Sequence, residues 1–589
     1  MAILQRTVTS KGDIKQFTAV RIVTAIGHIH WLMSTKTLTA KANIIGIQTN
    51  PLKAKARLLP PLAYLNNVNG EIRTIRCKLE IKWDGITFTD ESQYFVSAQG
   101  SSELSGMLGE GFASELDVEV DNTTKRFYPV TGTLAAYLKP RVPMRLSVDF
   151  GNTGNYVRMF TGYIKNYKPS TLSGLCNFHC FDNTQYILNK SFRGTTFEES
   201  SEEHGLYIEK RTDELIKILA DAAGLVEGVG YDLDLGEETI PVAWFSDRYI
   251  WPLMSDIAVA ERGRIFFDEK GILRFWNRSR LHDASTFNNL NLTRDNWLIN
   301  VDFEIAEHAI KNRVIVQAKP RASAGIQVVW QNGDILSLNQ YTDKLVYIPA
   351  AGSSGYQYAW IETDDPCTTW IQPVPYTDYE AHTTIFGGDP TYSSYDGFYD
   401  EDGDPDVNVT EYIKIATFNT YDNAVFIEVR NYYPKPIYFT KFQLRANPLR
   451  VWKYLQADYK DQASIDDYGE QKIEIKNDFI STEGMVDVMA DTELTRWKNA
   501  KNNFKAPIMG IPYLRCGDVV NIEMLDASLE KYMINKLDWK IDEQGFKQDL
   551  DLVEPIHFPK IKGIAARGNL KKFAVSQTVN ALAYISEEE

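Results

Sequence analysis

The sequence predicts a mainly β protein of several domains with one α+β module. Three observations carry this. Apolar and polar residues alternate over many short runs, as in "ELDVEVD" at 115–121, where Leu116, Val118 and Val120 fall on one side. That is the period of a half-buried strand. The chain holds 31 Tyr and 28 Phe, a composition that favours strands. At 589 residues it is too long for one core and divides into roughly three to five domains.

The elements follow in order. Residues 1–70 read as a basic arm with nine Lys/Arg against one acid, Asp13, a net of +8. The remainder then carries −23 of the overall −15. A basic arm on an acidic body is the pattern of an interaction segment, although dispersed cations without a motif do not specify nucleic acid. A first β-domain spans 71–190. It holds "CKLEIKW", the strand at 115–121, and a meander in which Met144, Leu146, Val148 and Phe150 alternate, then Cys176, Phe178 and Cys180. Between them "DNTTKRFYP" turns the chain: Asp121 and Asn122 form the turn, Arg126, Phe127 and Tyr128 pin the corner, and Pro129 fixes the exit. A capped helical turn begins at Asp182.

The α+β module is predicted over 191–300. "RTDELIKILADAAGL" is an amphipathic helix with Thr212 as its cap, Leu215, Ile218, Leu219 and Ala222 on one face, and Gly224 as its stop. A second helix, "WPLMSDIAVAERGR", runs into a hairpin turning at Asp268–Gly271. A second β-domain is assigned to 301–324 and 451–555, with an inserted β-sandwich at 325–450. Residues 556–589 form a C-terminal extension. The segments at 156–182 and 531–553 follow one plan, a long aromatic-bearing strand, a Gly-bearing turn and an alternating return, which suggests two similar β-domains.

Enzyme signatures are absent: there is no GxSxG, HExxH, P-loop or GxGxxG. No catalytic residue and no cofactor is nominated. The five cysteines are odd in number and lack a CxxC; Cys176 and Cys180 share a strand face about 13 Å apart, too far for a disulfide. They read as buried thiols of a protein folded in a reducing cytoplasm. His28 and His30 share a face but are two ligands, not a site. Asp400, Asp402 and Asp404 have the alternation of a calcium loop, but Gly403 is misplaced for its turn, so a solvated acidic loop is the competing assignment. Tyr392, Tyr395, Phe398 and Tyr399 could stack on sugars or pack on a neighbouring subunit. No run reaches the about 20 apolar residues of a membrane-spanning helix, and stable membrane insertion is not expected. "AIGHIHWLM" at 25–33 is short and begins too late for a secretory signal.

The order of modules resembles the baseplate hub proteins of tailed bacteriophages, including the N-terminal part of tail-associated proteins. The residues carrying the likeness are "SELDVEVDNTTKRFYP", "RMFTGYIKNY" with Gly162, the helix and hairpin of the α+β module, "LRCGDVVNIEM" with Gly517 and Asp518, and "AVFIEVRNYYPKPIYFTKFQLRANPL". The likeness covers roughly 75–555; the basic arm is outside it and no peptidoglycan-cleaving domain follows. It implies two tail-tube-like β-barrels per chain, a homotrimer whose six barrels form a ring, and a structural role at the virion tail tip after assembly in the host cytoplasm. The implied partners are the distal-tail ring, tail tube and tape-measure proteins and a central fibre or spike. Genomic DNA would pass through the lumen without sequence-specific binding. Alternatives are a carbohydrate-binding adhesin of the tail tip and the hub of a phage-derived contractile injection system.

Overall fold

The structure, a computed structural model, describes residues 75–553 except 105–112, 151–153, 171, 193–204, 246–247, 283–289, 296, 306–309, 332–346, 349–355, 384–405, 435–436, 499–501 and 525. The fold is mainly β. Its largest element is a 13-stranded sheet built from both ends of the described chain. The N-terminal half supplies β1 (Ile75–Ile81), β2 (Thr89–Asp90), β3 (Phe95–Glu103), β4 (Glu115–Asp121), β5 (Val142–Phe150), β6 (Val157–Pro169) and β7 (Leu175–Phe181). The other half supplies β8 (Leu290–Leu292), β9 (Asp302–Ile305), β10 (Asn502–Met509), β11 (Val519–Glu523), β12 (Leu529–Asp542) and β13 (Gly545–Val553).

Alternation decides which face each strand buries. In β4, Leu116, Val118 and Val120 are buried while the intervening acids face outward. β4 pairs with β3 on one side and β7 on the other, so it is a central strand. The two halves meet where β3 pairs antiparallel with β12, from Ala98↔Ile541 to Glu103↔Lys536. At this seam Gly100 faces the Trp539 indole, and a Cβ there would lie 2.4 Å from the ring. The expected two β-domains therefore share one sheet and one apolar core. The hairpins β6–β7 and β12–β13 share two features. Each joins a long strand to a shorter return, and each long strand carries a register shift, at Ile164/Asn166 and Ile534/Lys536.

A second core belongs to the α+β module. It gathers α1 (Thr212–Ala222), α2 (Ile250–Glu261), the hairpin Arg264–Phe267/Leu273–Trp276, and also strand Arg313–Ala318, strand Leu455–Lys460, strand Lys472–Lys476 and α3 (Glu483–Trp497). Residues 313–318 and 455–497, assigned from sequence to the second β-domain, pack here instead, and the β-domain claims 290–305 and 502–553. A continuous apolar run such as "VIV" fits either core, so periodicity alone could not choose. The cap of α1 also differs. Arg211 is the capping residue, with the Glu214 carboxylate accepting from its N–H at 3.1 Å, while Thr212 is buried and donates to Glu261. Ala222 is exposed, and Ile216 joins Leu215 and Leu219 inside.

The insertion is a third body with its own core. Strands Tyr356–Glu362, Ala424–Asn431 and Ile413–Thr420 form one sheet, and Ile437–Val451 organises the other. It leaves and re-enters between the antiparallel neighbours Ala318 and Leu455, continuing as the pair Arg321↔Val451. Cys77, Cys176, Cys180, Cys367 and Cys516 are all free thiols.

Candidate functional site

The corner after β4 is built within its own sheet. Asn122 is buried, and its Oδ1 accepts from the Phe127 N–H at 2.8 Å. Lys125 takes φ 58°, the left-handed conformation that lets the chain reverse. Phe127 is wholly buried and packs edge-on to Tyr94 and Phe178 with ring centroids 5.5 and 5.2 Å apart. Arg126 turns inward to Glu91, donating from Nε at 3.1 Å and Nη2 at 2.7 Å. Glu91 is completely buried and also accepts from Trp83 Nε1 at 2.8 Å. Tyr128 is half-buried, and its carbonyl accepts from the Gly132 N–H.

The remaining motif residues mark where modules meet. Gly162 lies on β6 beside Phe181, whose carbonyl oxygen would be 2.1 Å from any Cβ. Gly517 has φ +85° and sits against the Trp276 ring of the α+β module, 2.3 Å from a Cβ position. Asp518 is fully buried, and its Oδ2 accepts from the Arg515 N–H at 2.8 Å. That fixes the Arg515 turn, and Arg515 is the residue that sequence reasoning missed. Its Nε pairs with Glu269 Oε1 at 2.8 Å, in the hairpin turn of the α+β module. Its Nη2 donates to the Arg158 carbonyl of β6 at 2.9 Å, and its Nη1 to the carbonyls of Pro512 and Leu514. The same hairpin turn is held from the first half-sheet by the Thr161 hydroxyl and the Asn183 amide, each at 2.9 Å. One guanidinium thus ties both half-sheets to the α+β module. The only sequence signal was its place two residues before Gly517.

This geometry suits holding modules in register. Among the described residues, no group of three or more His, Cys, Asp or Glu is placed to hold a metal ion. Tyr392, Tyr395, Phe398, Tyr399, Asp400, Asp402 and Asp404 lie outside the described residues, as do His28, His30 and the arm at 1–70. The following residue Asp406 is described, and its Oδ2 lies 2.8 Å from His382 Nδ1. Among the described residues no helix is long and apolar enough to cross a membrane.

No family model matches the chain, and no curated protein matches it. Solved structures do. A 43 kDa tail protein of prophage MuSo2 from Shewanella oneidensis is similar at 11% identity and TM-score 0.42, over 82% of this chain and 99% of that one. A tail protein from Neisseria meningitidis MC58 is similar at 9% identity and TM-score 0.42, over 82% and 98%. Prophage tail protein gp18 from Listeria monocytogenes EGD-e is similar at 8% identity and TM-score 0.37, over 85% and 99%. Each of these three solved structures is a tail protein.

Proposed function

We propose that the chain is a structural tail-hub protein that assembles as a homotrimer at the distal end of a phage tail tube, joining tube and distal-tail ring to a central fibre or spike. The observation that carries this is the β3–β12 seam. Within one chain, two β-halves with corresponding central hairpins already join edge to edge in one sheet. Three copies repeating that junction between chains would present six such halves around an axis, a match between a six-fold tube and a three-fold tip. Among the described residues the sheet ends at β9, β2 and the side strand β8, and these are edges such a ring would pair, which would remove them from solvent. Arg126, Gly162, Gly517 and Asp518 are structural residues in this proposal: they hold the corner and the module junctions. Genomic DNA would slide through the lumen past an acidic body, because like charges do not bind. Immunogold labelling of purified tails tests the position. Label at the distal tip is expected; label along the tube, or at the head-proximal end, overturns it.

A further inference from the structure

A cleft of about 670 Å³ opens where the neck of the insertion meets the α+β module. Its volume lies in the range of small-ligand pockets, about 300–1,000 Å³. Trp452 lines it with 75% of its surface exposed, a large apolar ring left in water. Tyr454, outside the lining, is 72% exposed, and Nζ of the lining residue Lys319 is 5.5 Å from its ring centroid. Hydrogen bonds tie the frame behind them together. The Trp452 N–H donates to the Pro320 carbonyl at 3.0 Å, and Trp244 Nε1 donates to Asp422 of the insertion at 2.8 Å.

The lining carries charges of both signs. Arg248, Lys319, Arg321 and Lys453 line it together with Asp478 and Glu483. Arg321 is committed to Asp365 at 2.6 Å, and Lys453 to Glu483 at 2.5 Å. Arg248 pairs loosely with Asp256 at 3.5 Å, and Lys319 meets the Tyr454 ring, so these two are best placed to receive an anion. The carboxylates decide the ligand class. They would repel a phosphodiester backbone, whose binding surfaces are strongly and uniformly positive. They accept hydrogen bonds from hydroxyls, as Ser481 on the same wall also can.

We propose that this cleft binds an anionic saccharide, with a sugar ring stacked on Trp452, its carboxylate or phosphate on Lys319 and Arg248, and its hydroxyls on Asp478. The polarised C–H edges of a sugar ring face the negative π surface of the indole. This does not depend on the hub proposal and concerns a different part of the chain from Tyr392–Tyr399. Calorimetric titration of the full chain tests it, using cellobiouronic acid, glucose 6-phosphate, neutral cellobiose and a short oligothymidylate. At least one anionic sugar should bind at about 1 mM or tighter, with cellobiose about tenfold weaker. Trp452→Ala, at an exposed position, should weaken that binding by about tenfold without changing the melting temperature. Lys319→Glu provides an independent second variant and should weaken it as well. The proposal is overturned if neither anionic sugar binds, if cellobiose binds as tightly, or if both variants bind like the parent. Tighter binding of oligothymidylate than of either sugar would overturn it in favour of nucleic acid.

Discussion

Glu91 is the buried charge at the centre of the corner, and Arg126 is its counter-ion. Removing one partner of such a pair leaves an uncompensated charge in an apolar setting. Arg126→Ala should therefore cost about 3 kcal/mol, read as a lowered midpoint in chemical unfolding. A second buried carboxylate behaves differently. Burial pushes Glu261 up to about 8, although the Thr212 hydroxyl and the Glu237 N–H both donate to it, and Glu237 and Glu238 add like charge. Its folded state holds a proton that the unfolded chain releases near 4.5. Stability from this group is complete below 4.5 and is lost as pH rises through about 8. Glu261→Gln should accordingly raise the thermal midpoint at pH 8 and leave it unchanged near pH 4.5; an equal gain at both would contradict the assignment. At this scale the sequence was legible where short-range chemistry decides. Asn122 and Phe127 could be placed because a turn former precedes an aromatic in an interrupted strand. Thr212 could not, because its partner Glu261 is 49 positions away.

The junctions between elements depend on close approach more than on strong bonds. Gly517→Ala would force a Cβ onto the Trp276 ring at a left-handed backbone position, and should cost about 2–3 kcal/mol. Much of that cost should disappear in a Trp276→Ala background. Additive effects in the double-mutant cycle would show that the contact is not the cause. The insertion tests separability. Because Ala318 and Leu455 are direct antiparallel neighbours, replacing 319–454 with an Asn-Gly turn should leave the α+β module and the large sheet folded, with an unchanged far-UV strand signal per residue. Loss of soluble protein would indicate that the insertion is integral. Strand positions were largely legible from period-two alternation, as in β4, β7 and β13. Their partners were not. Strand Arg313–Ala318 reads the same in either core, and the β3–β12 seam joins segments more than 430 positions apart. Arg515 was invisible for the same reason: its partners Glu269 and Arg158 come from two other parts of the chain.

At the scale of the whole molecule, a sheet that runs through both halves and, among the described residues, ends at unpaired edges invites repetition between copies. In the proposed three-fold assembly, the acidic body and the paired β-halves would together guide DNA. The mass of the purified full chain in solution, measured by light scattering across a concentration series with particle images of the same sample, tests this most directly. A trimer would weigh three times 67.1 kDa, about 201 kDa, and form rings of six lobes. A monodisperse 67.1 kDa species at every concentration, with no rings, would contradict it.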